Sequence, residues 1–166
     1  MSAFLDELLQ QLRRPIQTPV VEYWLLSPSS SVGHQWLARL KQHDPNITLP
    51  RITTIWQMAL ELAKPALERL DLKLLLPVEI ESLIWELCQR DKALLSATPA
   101  EVRGWQQTIL ELRLAGLENT DLDPTAFDSK EKAKSVQKLL AAYEAELRQH
   151  HLADPTRVMS LARDRL

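Results

Sequence analysis

One cysteine, three glycines and no apolar run of membrane length set the first limits on this 166-residue sequence. With Cys88 alone, neither an internal disulfide nor a thiolate cage for a metal can form. Its helical spacing from Ile84 in "LIWELCQR" marks it as a buried helix-face residue, not a nucleophile. Three glycines against ten prolines argue against tight hairpins and favour capped helices. No stretch approaches the roughly 20 apolar residues that cross a bilayer. The beginning, "MSAFLDELLQQLRRP", mixes acids into its apolar pattern and lacks a small-residue cleavage site, so a cytoplasmic location is expected. A net charge of -2 gives no bulk attraction to nucleic acid or anionic lipid, and any such contact has to come from local patches. His34, His43 and the adjacent pair His150 and His151 have no ligand spacing. Neither a Ser/His/Asp nor a paired-carboxylate arrangement stands out, so no catalytic residue, metal or cofactor is expected.

What is present is an ordinary globular composition, 45% apolar and 25% charged, long enough for one sizeable core or two small lobes. Apolar spacing predicts a first helix from about Ala3 to Arg13, stopped by Pro15, and a second carrying Trp36, Leu37 and Leu40, broken at Asp44-Pro45-Asn46. A third carries Ile55, Met58, Ala59 and Leu62 inward, and Pro65 should kink or end it. Pro77 and Glu79 open a helix that buries Ile80, Leu83, Ile84 and Leu87. Thr98 and Glu101 form a capping box for a helix bearing Val102, Trp105, Ile109 and Leu112, which ends near Gly116. After a polar loop, Asp128 or Ser129 opens a helix whose inner face is Val136, Leu139, Leu140, Tyr143 and Leu147. Asp154-Pro155 caps a last helix with Val158 and Leu161 buried. Two β-prone stretches, "VEYWLL" and "ITLPRITTI", interrupt the helical pattern early in the chain. Trp36, Trp85 and Trp105 are in phase with apolar neighbours and read as core. Trp24 is ambiguous, and Trp56 is the tryptophan that packing explains least.

The layout of strand, small-residue loop and helix around "SPSSSVGHQW" is that of a phosphate-binding loop, which needs G-x-x-x-x-G-K-[ST]. Aligned on its second glycine at Gly33, the loop has Pro28, His34 and Gln35 where glycine, lysine and a hydroxyl are required. Proline removes an amide, histidine lacks lysine's fixed charge and glutamine is a poor magnesium ligand, so ATP binding is excluded here. The local residues otherwise read as a Ser/Pro/Gly turn whose serines cap the next helix, with an ancestral phosphate loop as the other reading. Lys130, Lys134 and Lys138 share a helix face that would suit a phosphate backbone or serve simply as a solvated face.

Taken in order, "VEYWLLSPSSSVGHQWLARL", "LPRITTIWQMALELA" and "VQKLLAAYEAELRQHHLADPTRVMSLARDRL" resemble the N-terminal part of UvrD/Rep-like superfamily I helicases. The likeness is to the inactivated form in the B subunits of AddAB-type helicase-nucleases, which carry a PD-(D/E)XK nuclease. "ELRLAGLENTDL" is similar to the L-R-x-x-G-L segment of the family's inserted subdomain. Thr54, Ile55 and Trp56 fill the place of its T-F-H-like motif, with Trp56 departing from histidine. Asp154 matches an aspartate after the tyrosine helix, with Pro155 in place of an aromatic. The resemblance implies a helix-rich α/β fold with a small parallel sheet element near residues 20–55. It implies a partial, inactivated core subdomain over 1–70, a helical inserted subdomain over 71–153 and the return to the core over 154–166. It also implies a fragment ending before the magnesium-binding motif, without activity or cofactor of its own, that guides DNA, single-stranded by preference. Ser29, Ser30, Arg51, Thr54 and Trp56 are the DNA-contact candidates. Its partners would be the rest of its own longer chain or a helicase subunit, and no membrane. The alternative expectation is a helical protein-interaction module with no nucleic-acid role.

Overall fold

The computed structural model describes residues 23–91, 97–117, 122, 123, 125 and 127–166, together with 7, 8, 10 and 12. They form six helices and four short strands in two compact units, residues 1–61 and 62–166. The fold is the expected helix-rich α/β type, with small parallel strand pairs. The division falls between Glu61 and Leu62, where the sequence reading had placed one at 70, and the last helix belongs to the second unit. Most of the first expected helix lies outside the described residues, but residues 7, 8, 10 and 12 are helical.

The first unit is a β-α-β arrangement. Strand β1 (Trp24–Leu26) pairs in parallel with β2 (Arg51–Thr53), Leu25 beside Ile52 and Leu26 beside Thr53, and helix α1 (Ser30–His43) connects them. Parallel pairing requires such a crossover, because a tight turn would return the chain antiparallel. The amide of Ser27 donates to Thr53 O at 3.0 Å and extends the ladder one step past the strands. Leu40 is fully buried among Leu8, Leu12, Leu37 and Ile47. Helix α1 ends at Asp44, whose carboxylate accepts the Asn46 amide at 3.1 Å, the local competition with helix that the Asp-Pro-Asn run forecasts.

Helix α2 (Ile55–Arg69) departs from expectation in two ways. It does not end at Pro65, one of the two outcomes expected there, but continues through it to Arg69. Proline costs the ladder one donor, to the Glu61 carbonyl, but its ring is exposed, while Ala59, Ala63 and Ala66 lie buried along another face. Ile55, expected inside, is 61% exposed, because at the first helical position it has no preceding turn to pack against. The helix closes at Asp71, held at a φ of 51°, with the Leu72 amide donating to Leu67 O and the Asp71 amide to Glu68 O. This is the helix-ending pattern that usually employs glycine.

The second unit is built on α3 (Pro77–Arg90), α4 (Pro99–Leu114) and α5 (Lys130–Gln149), with α6 (Pro155–Arg163) against α4. The faces read from the periodicity converge: Ile80, Ile84, Val102, Ile109, Val136, Leu140 and Tyr143 are essentially inaccessible and form one core. Cys88 lies in it, and burial, then the nearby Asp91 charge, push its thiol up, away from the thiolate form. Trp85 corrects the sequence reading, for it is 38% exposed beside Val78 and Glu86. One position past Ile84 turns it about 100° away from the core. A second parallel pair, β3 (Lys73–Leu74) with β4 (Leu152–Ala153), had no counterpart in the sequence reading, since two-residue strands show no period.

The Thr98 box is present in both directions: Thr98 Oγ1 accepts from the Glu101 amide at 3.4 Å, and Glu101 Oε2 accepts the Thr98 amide at 2.7 Å. The Thr98 amide first, and then its hydroxyl, which donates to the same Oε2 at 2.8 Å, hold the Glu101 carboxyl below its ordinary value. Thr98→Ala should cost about 1 kcal/mol in urea unfolding. Because the folded-state value is the lower one, the Glu101 contribution is present above the ordinary carboxylate range and fades as pH falls through it. Glu101→Gln should flatten that part of the stability-versus-pH curve.

Candidate functional site

The edge that the sequence singled out lies at the carboxyl ends of β1 and β2. The connection from β1 is only Ser27-Pro28-Ser29, and α1 has begun by Ser30. Ser29 caps it, its Oγ accepting the Val32 amide at 3.3 Å, while Ser27 Oγ donates to the Ser29 carbonyl at 2.8 Å and tightens the bend. Gly33, His34 and Gln35 are therefore already inside a helix, and no run of loop amides is left to wrap a phosphate. Gly33 is glycine for packing: a Cβ there would overlap Ile52 Cγ2 on β2 and stand 2.8 Å from Ser27 Oγ. His34 and Gln35 face outward.

Strand β2 delivers Thr54 to the same edge. Thr54 Oγ1 accepts the Gln57 amide at 3.2 Å and Gln57 Oε1 accepts the Thr54 amide at 3.1 Å, a reciprocal cap legible in "TIWQ" but missed in the sequence reading. Both α1 and α2 thus start from one edge of the strand pair, and neither has an acidic residue in its first turn. Two positive helix ends side by side favour anions. Ser29, Ser30, Thr54 and Trp56 belong to this edge, with Trp56 half-buried and Ile55 exposed beside it.

Arg51 does not belong with them. It begins β2, at the other end of the strand, where its guanidinium makes a two-pronged pair with Glu61 at 2.8 and 2.7 Å and lies 5.2 Å from the centre of the Trp24 ring. The lysine face is also partly occupied, with Lys138 Nζ 2.9 Å from Asp91, while Lys130 and Lys134 are exposed.

A second polar cluster lies in the helical unit. Asp154, fully buried, accepts the Arg157 amide on Oδ1 at 2.9 Å and thereby caps α6. Its Oδ2 accepts Arg113 Nε at 2.8 Å and the Tyr143 hydroxyl at 3.4 Å. The other side of the guanidinium donates to Glu144 at 3.0 Å, and its carbon sits 5.8 Å from the centre of the Tyr143 ring. Burial works against the Arg113 charge, but Asp154 and Glu144 outweigh it and hold the group above its ordinary value. Burial, then the Asp154 charge, push the Tyr143 hydroxyl well above the usual tyrosine range, so it stays a proton donor. Arg113, Tyr143 and Asp154 come from three stretches noted separately in the sequence. Their meeting, and the part of Glu144, were not foreseen, because separations of 31 and 41 residues leave no local signal.

Among the described residues no group of three His, Cys, Asp or Glu could hold a metal ion, and no helix is long and apolar enough to cross a membrane. The chain matches no family model and no curated protein.

Proposed function

We propose that the chain is a catalytically inactive, helicase-like module that guides single-stranded DNA within a larger repair and recombination helicase-nuclease of the cytoplasm. The observation that carries this reading is the edge where α1 and α2 begin together, with Ser29, Ser30 and Thr54 beside Trp56 and the exposed Ile55. Helix ends and hydroxyls of this kind hold a backbone phosphate, and an indole next to them offers a face to a base. The absence of a lysine and of a magnesium-binding hydroxyl from the loop argues against ATP hydrolysis by this chain, and its partner would be a helicase subunit or the rest of its own protein. The Arg113–Tyr143–Asp154 cluster gives further support, since it joins the segments on which the helicase likeness rests.

Titration of a fluorescent single-stranded oligonucleotide should give binding that weakens steeply with salt. Trp56→Ala should weaken it about tenfold, in line with the loss of one stacked base. Arg51→Ala should change it less, because Glu61 already engages that guanidinium. No binding at low salt would sink the reading. It would leave the second one, a helical protein-interaction module, for which the exposed Val78 and Trp85 on α3 speak.

A further inference from the structure

We propose that the second unit holds a binding site for a small amphiphilic anion, an aliphatic body with a phosphate or carboxylate head, beside β4 and the start of α6. The recess there has a volume of about 510 Å³, within the size range of sites for small organic ligands. Four leucines, Leu70, Leu72, Leu147 and Leu152, make its apolar part. His151 is the one aromatic side chain on its lining, and the four leucines outweigh it, so the apolar part suits an alkyl body.

The polar part is Arg113, Glu144, Arg148, His151 and Arg157, in which the Glu144 carboxylate is taken by Arg113. Arg113, on the wall, is committed to Asp154 and Glu144, but Arg148 and Arg157 have no side-chain partner among the described residues. Each presents a planar fork of donors suited to phosphate or carboxylate. The amino end of α6 adds the same sign, and the Asp154 that caps it is already balanced by Arg113. The adjoining recess, shared through Arg113, Glu144 and Arg157, contains Thr156, whose Oγ1 is the one buried side-chain oxygen without a partner among the described residues. Native structures seldom leave such a group unpaired unless something else satisfies it. This site stands independently of the DNA-guiding edge, with which it shares no residue.

Isothermal titration calorimetry of the full chain at low salt, with hexyl phosphate, hexanoate, inorganic phosphate, hexanol and hexylammonium, tests it. Hexyl phosphate or hexanoate should bind at least about tenfold tighter than inorganic phosphate, through burial of the alkyl chain. Hexanol and hexylammonium should bind more weakly still. Arg148→Gln and Arg157→Gln should each weaken the alkyl anion about tenfold, with the circular dichroism spectrum unchanged. The proposal fails if no probe binds, if hexyl phosphate and hexanoate bind no better than inorganic phosphate, or if the double variant, Arg148→Gln with Arg157→Gln, binds the alkyl anions as before. It fails too if the double variant loses only oligonucleotide binding, which would make these arginines contacts to a polymer backbone.

Discussion

Replacing Arg113 by methionine is expected to lower stability by about 3–5 kcal/mol. Methionine keeps an unbranched stem against Tyr143, so the change isolates the charge. Two carboxylates lose their counter-ion at once. Glu144, 12% exposed, keeps some access to water, but Asp154 is fully buried, and only the Arg157 amide and the Tyr143 hydroxyl remain to answer its charge. Breaking one side of a buried pair costs more than the pair itself is worth, because the penalty is the stranded charge. Arg113→Met combined with Asp154→Asn should therefore recover much of the loss: asparagine keeps an oxygen for the Arg157 amide and removes the charge. Urea unfolding of the two single variants and the double gives the coupling directly. Simple addition of the two losses would mean that the cluster does not act as a unit.

That cluster also marks where sequence reading reached its limit. Val136, Leu139, Leu140, Tyr143 and Leu147 were legible because 20 residues of helix repeat one period many times, and all five are buried. The caps at Thr98, Ser129 and Asp154 were legible because a cap is local chemistry, one side chain and the amide three residues on. Pro65 did not end its helix for the converse reason, since a local rule yielded to burial of Ala63 and Ala66 elsewhere on it. The β3–β4 pair and the meeting of Arg113 with Asp154 have no local signature at all. They exist only once the helices have brought distant residues together. Of the candidate edge, its strand-helix layout and its serine cap could be read, while the separation of Arg51 from Thr54 depended on which end of β2 each one occupies.

The three glycines should respond to alanine with different signs, and Gly33 decides between two accounts of the opening loop. Gly104 lies within α4 with open space around its missing side chain, so Gly104→Ala should stabilise by about 0.5–1 kcal/mol through the lower helix propensity of glycine. Gly116 follows the same helix at a φ of 75°, where the Leu117 amide donates to Leu112 O, and alanine there should cost about 1 kcal/mol. Gly33→Ala should cost about 1–3 kcal/mol by overpacking, because the new Cβ overlaps a strand side chain. The collision is with Ile52 Cγ2, which valine would retain, so Ile52→Val should not relieve it. Ile52→Ala removes that carbon, and the double variant with Gly33→Ala should lose less than the two single losses added together. If Gly33 instead served a bound phosphate, alanine would change affinity and leave unfolding untouched. A stability loss with the Ile52 dependence just described assigns the glycine to the contact between α1 and β2, and the resemblance of this loop to a nucleotide site then rests on its layout alone.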